Sequence, residues 1–397
     1  MTPPDGRDQP AVPVSRIGPG LLAVISCIAV YGLTAGMSSP LISLNLEARG
    51  VSQTVIGLNA SMLAVAMLLC SPLLPGLIRR FGFRRVMAWS LLGEAGSFLC
   101  LPLSDNLPYW FAVRIVMGAS ATGLFLSGET WINQLATEAV RGRIIGIYST
   151  MLALTFGLGP LLIPLTGIDG WWPFLTAALV VLAAGFPLLI AGRQPTGFEN
   201  PSSFGIPAFV RQAPTLCLAV FLFSYVEMAV LPLLPVYGLH HGLATATAAA
   251  MLTALAAGNV CLQFPIGWAA DHFRRRDVML VCAVAGLLGA VGLPLVVARP
   301  WLLWPALFLW GGLFVGIYTV ALAMVGERYR GGELVTANAA FGVLWGLGSL
   351  SGPIVAGLAM DLWPSHGLPA AVAVPIFAFL VVAFLRRGVT AGEAAAP

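Results

Sequence analysis

The sequence predicts an all-α integral membrane protein in which twelve transmembrane helices form two six-helix bundles. Three observations lead there. The chain of 397 residues is 58% apolar and only 9% charged, with a mean hydropathy of +0.91, and a soluble chain needs far more charge to cover its surface. Twelve stretches reach the length of about 20 apolar residues that a helix needs to cross hydrocarbon. The cations, all arginine, segregate to one side once those stretches are threaded across a bilayer.

The stretches run over 18–41, 54–76, 86–104, 108–132, 144–166, 170–192, 213–238, 245–269, 278–298, 301–326, 334–360 and 367–385. Residues 1–17 hold Asp5, Arg7, Asp8 and four prolines, which suits a disordered tail. The first stretch is too long for the apolar core of a signal peptide and reads as an uncleaved anchor. The fifth and sixth are separated by little more than Asp169-Gly170. Residues 193–212 (RQPTGFENPSSFGIPAFVRQ) are the most polar interior stretch and read as a linker between bundles at 18–192 and 213–386, with a tail at 387–397.

With the N-terminus in the cytoplasm, seventeen of the twenty arginines fall inside, among them Arg79, Arg84, Arg85, Arg141, Arg143, Arg275 and Arg276. Arg49 and Arg299 fall outside, and Arg114 lies within a helix. One span more or fewer would scatter this pattern, so the excess of positive charge in inner loops supports both the even count and the orientation. The net charge of +4 follows from this placement and does not point to nucleic acid. All six cysteines fall inside predicted spans, so neither a disulfide framework nor a zinc site is expected. The four histidines lie in loops or near span ends, and no nucleophile–base set, metal motif or phosphate-binding loop is legible. No cofactor is expected, and the chain does not read as an enzyme.

The two halves echo each other. Residues 75–85 (PGLIRRFGFRR) follow the second span and residues 267–277 (GWAADHFRRRD) follow the eighth, 192 residues later. Arg141-Gly142-Arg143 is matched by Arg330-Gly331-Gly332, and Gly159-Pro160 in the fifth span by Gly352-Pro353 in the eleventh. Duplication at the level of six helices is found in many secondary transporters.

At these residues the chain resembles the major facilitator superfamily (MFS), whose signature after helices 2 and 8 is roughly GxxxDxxGRR. The second copy keeps Gly267, Asp271, Arg275 and Arg276, with Arg274 where glycine is usual. The first keeps Gly82 and Arg84 but has Pro75, Arg79 and Phe83 at the other signature positions. Arg114 to Gly118 fits the family's RxxxG pattern, and Gly348 to Pro353 gives helix 11 a glycine-rich face. The basic first loop, Glu129 and the RGR turn are similar to the YcaD-like group of bacterial transporters. The resemblance implies the MFS fold, with bundles related by a pseudo-two-fold axis, in the bacterial inner membrane. It also implies alternating access to a small-molecule substrate, coupling to protons, and a monomer embedded in the lipid bilayer. In the family the basic loops brace the cytoplasmic ends, a role that carries over to Asp271 and its arginines. Arg79 cannot play an acid's part in the first copy. Helix 5 lacks the flanking glycines associated with drug/proton antiporters, and helix 1 has no acid.

Intramembrane polar residues supply the site candidates. Arg114 lies about 9 Å and Glu94 about 15 Å below the outer surface at a rise of 1.5 Å per residue. A buried guanidinium needs a partner, so an Arg114–Glu94 ion pair is expected, either structural or coupled to transport. Glu227, mid-span in helix 7 without a nearby arginine, is the candidate for proton coupling or contact with a cationic substrate. The alternative is a protonated glutamate hydrogen-bonded to Tyr225, Asn259 or Gln263. Tyr31, Tyr225, Trp310 and Trp345 lie near mid-membrane and could line an aromatic chamber or simply pack the core. Glu129 is read as a partner for Arg79, Arg85 or Arg143. Gly348, Gly352, Pro353, Gly159 and Pro160 are read as helix-packing positions. Few intramembrane charges and several aromatics suit an amphipathic or aromatic solute. Efflux of drug-like compounds, uptake of a nutrient or vitamin, and a sensor that does not transport all remain open.

Overall fold

The computed structural model describes residues 14–135, 141–190, 206–329 and 332–385. Among the described residues, twelve helices are long and apolar enough to span a membrane. They are α1 (Gly20–Ala48), α2 (Gln53–Cys70), α3 (Phe83–Leu103), α4 (Leu107–Ile132), α5 (Gly146–Thr166) and α6 (Trp172–Leu189). The second half holds α7 (Pro214–His240), α8 (Thr245–His272), α9 (Arg275–Val297), α10 (Pro300–Arg328), α11 (Thr336–Leu362) and α12 (Gly367–Leu385). Every predicted span is found. Unbroken helices suit lipid because each pairs all its backbone groups internally.

Two boundaries differ from expectation by more than three residues. The second span stops at Cys70 rather than 76: Pro72 and Pro75 deny the helix its donors, and a short helix, Leu74–Phe81, follows. That short helix ends at Gly82 (φ +82°), a conformation glycine adopts freely, and α3 starts at once. The first span instead runs on to Ala48. Part of the expected linker is helical, over Ile206–Gln212.

The halves repeat one packing scheme. In the first, Gly32 and Gly36 of α1 lie directly on the α5 backbone at Leu152 and Phe156, and Gly159 of α5 lies on Leu33. In the second, Gly348 and Gly352 of α11 lie on the α7 backbone at Phe221 and Tyr225. Two seams join the halves. Along one, Gly57 of α2 meets Pro353 of α11, Gly357 of α11 meets Gln53, and Ser61 donates to the Leu350 carbonyl at 2.8 Å. Along the other, Gly157 of α5 meets Ala256 of α8. Small residues at these crossings let backbones approach where lipid offers no hydrophobic drive for helices to associate.

The predicted Gly-Pro pairs behave differently. Gly159-Pro160 breaks α5 into a 3-10 turn, Gly159–Leu162, whereas α11 runs through Gly352-Pro353 without interruption. Of the two ends of the bundle, one carries the arginine loops. At the opposite end the halves are clasped: Glu47 of α1 meets His240 of α7 at 2.7 Å, and Asp361 of α11 meets the start of α2.

Candidate functional site

Acids and tyrosines from both halves converge between the bundles. The Tyr31 hydroxyl on α1 lies within electrostatic reach of Glu94 on α3 and of Glu227 on α7. Tyr318 on α10 is likewise close to Glu227 and to Glu129 on α4. Tyr148 on α5 is close to Glu129 and Tyr31. Acids and tyrosines of the two halves therefore lie within electrostatic reach of one another. Glu227 and Tyr31 are half-buried, and Glu129 is exposed although it belongs to a spanning helix.

Glu94 and Arg114 are neighbours, as expected, because α3 and α4 are close-packed there: Ser120 fills the space beside Gly93, and Ser90 that beside Gly123. Both charges are buried, Glu94 at 3% and Arg114 at 0% exposure. They feel each other's charge but do not form the contact ion pair that the sequence suggested. Arg114 instead extends along its own helix, with Nη1 3.4 Å from Met117 Sδ. Its Nε and Glu94 Oε2 have no hydrogen-bond partner among the described residues. Uncompensated polar atoms are costly at such depth.

An aromatic cluster stands one helical turn from Glu227. Phe223, four residues earlier on the same face of α7, stacks on Tyr318 at 5.1 Å and on Phe314 at 5.6 Å, and Trp345 of α11 lies 5.5 Å from Phe223. On the opposing half Tyr31 packs on Phe125 at 5.5 Å. Trp345 and Tyr31 thus each belong to an aromatic cluster, whereas Trp310 stands apart from both. Its Nε1 donates to the Gly286 carbonyl of α9 at 3.1 Å, and its ring covers Gly289, so it faces α9. Tyr225 takes the packing alternative: it is buried where α7 meets α11, with Phe221 as ring neighbour at 6.1 Å. Asn259 is half-buried on α8, and Gln263 donates to Thr319 of α10 at 3.4 Å. None of Tyr225, Asn259 or Gln263 hydrogen-bonds Glu227. Phe223, Tyr148 and Tyr318 were not singled out from the sequence, although the four-residue spacing of Phe223 and Glu227 was available there.

At the arginine-rich end, Arg275 lies 3.7 Å from Asp271 and 2.6 Å from Glu327 of α10. Glu327 is thus the tighter partner, and sequence reading missed it. Arg276 donates to the Ala383 carbonyl of α12, and Arg84 to the Leu189 carbonyl of α6 at 2.9 Å. These contacts tie α9 to α12 and α3 to α6 inside each half. Arg79 and Arg85 are exposed. The side chains of Arg141 and Arg143, and with them any pairing of Arg143 with Glu129, lie outside the described residues.

Comparison with known proteins agrees with this architecture. The chain matches the Major Facilitator Superfamily over residues 24–214 and 216–397. It is 28% identical over 357 residues to YfkF of Bacillus subtilis (strain 168), an uncharacterized MFS-type transporter, covering 87% of this chain and 90% of that one. It is 27% identical over 382 residues to the uncharacterized MFS-type transporter YcaD of Shigella flexneri serotype 5b (strain 8401), covering 95% and 97%. Among solved structures, the nucleoside transporter NupG superposes with a TM-score of 0.76 at 16% identity, over 92% of this chain and 98% of that one. The D-xylose–proton symporter gives 0.71 at 14% identity, over 93% and 96%. Twelve spanning helices among the described residues, and a family match over 24–214 and 216–397, make this chain a multi-pass membrane protein and a secondary transporter of the Major Facilitator Superfamily.

Proposed function

We propose that this transporter carries a small amphipathic or aromatic organic solute by alternating access, coupled to protons through Glu227. The observation that carries the reading is the shared cluster: Tyr31 of one half lies within electrostatic reach of Glu227 of the other, and Tyr318 within reach of Glu129. A site built from both halves is remade whenever they rock. The Phe223, Tyr318 and Trp345 rings offer an aromatic wall beside the carboxyl. Glu227 makes no ion pair among the described residues, so a proton or a substrate cation would meet it without displacing an arginine. Arginine placement supports cytoplasmic termini. The clasped end then faces the outside of a bacterial inner membrane, and the cleft with exposed Glu129 opens inward.

The test is tryptophan-fluorescence binding of a compound library in proteoliposomes, followed by flux of the hits under an imposed pH gradient. Wild type should accumulate or expel a hit as the gradient dictates, and the sign of the response gives uptake or efflux. Glu227→Gln should still bind uncharged hits but lose gradient-driven flux by about tenfold or more. Undiminished pH-driven flux in that variant would remove Glu227 from coupling. An absence of flux for every bound compound would favour the non-transporting sensor.

A further inference from the structure

The start of α2 has an unusual source of hydrogen bonds. The first N–H groups of a helix find no partner within it and are ordinarily satisfied by the residue just before. That residue is Ser52, with extended backbone (φ −64°, ψ 152°) suited to the role, yet its side chain makes no capping bond. Asp361, in the last turn of α11 and in the other half, takes its place. One carboxylate oxygen accepts from the Gln53 N–H at 2.9 Å; the other accepts from the Thr54 N–H at 2.8 Å and the Thr54 hydroxyl at 2.6 Å. Gly357, one turn earlier on α11, lies on the Gln53 backbone and brings the helices close enough for this reach.

Asp361 has no comparable reason to exist within its own helix. A negative charge at a helix C-terminus opposes the helix dipole, whereas at an N-terminus it is favoured. The acid is thus placed against α11's dipole and in favour of α2's. His240 completes the clasp: its Nε2 lies 2.7 Å from Glu47 Oε1 and 3.3 Å from the Gln53 side-chain amide, and the ring is close to Asp361. Gln53 presents its amide nitrogen to the imidazole, and its Oε1 has no partner among the described residues.

We infer that Asp361 gates the transport cycle as a helix cap supplied across the two halves, and that Ser52 takes over the cap each time the clasped end opens. The inference rests on the alternating-access reading. Closure places Asp361 on the α2 N-terminus and leaves Ser52 idle. Opening withdraws Asp361, and the Ser52 hydroxyl, already preceding α2 in the right backbone conformation, accepts the freed N–H. The swap keeps α2 capped in both states, so the two differ little in free energy and can interconvert. Asp361 acts through the α2 backbone and is a positioning residue.

The experiment uses full-length protein in liposomes with exposed Cys261 replaced by alanine and spin labels at Asn106→Cys and Ala246→Cys, exposed positions of opposite halves near the clasped end. Double electron–electron resonance reads the populations of short (closed) and long (open) distances. Asp361→Asn, which keeps size and removes charge, should raise the open-to-closed ratio at least threefold. Ser52→Ala, which leaves every closed-state contact intact, should lower it by about threefold. The opposite signs separate a cap exchange from general weakening, and Ser52→Ala keeps the test alive should Asp361→Asn fold poorly. The same direction in both variants, or no change in Ser52→Ala, overturns the inference. If a long distance never appears in any variant or under a pH gradient, alternating access falls with it; if it appears but ignores both residues, only the cap exchange falls.

Discussion

The α2–α11 and α5–α8 seams occupy equivalent places in the repeat, yet among the described residues only the first is bridged by an acid at its end. Asp169 and Asp361 stand 192 residues apart, the same offset that relates the two arginine loops, and each is followed two residues later by tryptophan. Asp361 binds three donors at the head of α2. Asp169 is exposed and makes no hydrogen bond or ion pair among the described residues. The backbone explains why. The α5 helix breaks at Gly159–Leu162 and ends at Thr166, where Gly167 turns the chain (φ +77°), so Asp169 is not carried on a helix. The α11 helix continues to Leu362 and delivers Asp361 rigidly. The two halves are thus similar scaffolds, and a difference in helix termination lets a carboxylate cross one seam and leaves its counterpart off the other.

Substitutions that burden one seam and then the other sharpen this contrast. The largest effect is expected from Gly57→Val. Any side chain there strikes the Pro353 backbone, which cannot rotate away, and overpacking of this kind costs about 1–3 kcal/mol. Thermal unfolding in detergent should fall by several degrees. Gly157→Ala, whose new carbon would lie 2.8 Å from the Ala256 Cβ but no nearer than 3.9 Å to its backbone, should fall by less; equal losses would mean that the seams bear equal load. Next comes Ser61→Ala, which removes the cross-seam hydrogen bond to Leu350 and should cost about 1 kcal/mol while shifting the spin-label distances toward open. The smallest effect is expected from Asp169→Asn: stability should stay within about 0.5 kcal/mol, the usual range for an exposed position, with unchanged distances. A shift in Asp169→Asn as large as that in Asp361→Asn would show that both acids work as caps and would end the asymmetry.

Much of the framework was legible in the sequence. Spans are set by local apolar length against a bilayer of known thickness, which is why all twelve were found, and the errors at Cys70 and Ala48 are boundary errors. Contacts within a turn or across a short loop were also readable: Asp271 does approach Arg275, and Glu94 and Arg114 do sit on adjacent packed helices. The direction of side chains was harder. Depth alone puts Trp310 in the chamber, yet it turns to α9, while Tyr318, eight residues on, turns to Phe223. In a soluble helix the polar stripe tells which face is out. These helices are apolar on every face, so depth can be read from sequence and rotation cannot.

Sequence alone settled how many helices cross the membrane, where each of them lies along the chain, and that six of them echo the other six, because each of those properties depends on neighbours along the chain. Which acids meet which tyrosines, that Glu327 holds Arg275 more closely than Asp271 does, and that Asp361 caps a helix starting 308 residues earlier were decided only by tertiary packing. Such contacts depend on the rotation and crossing of whole helices, which small residues at a few points of close approach set, and no local pattern in an apolar chain encodes them.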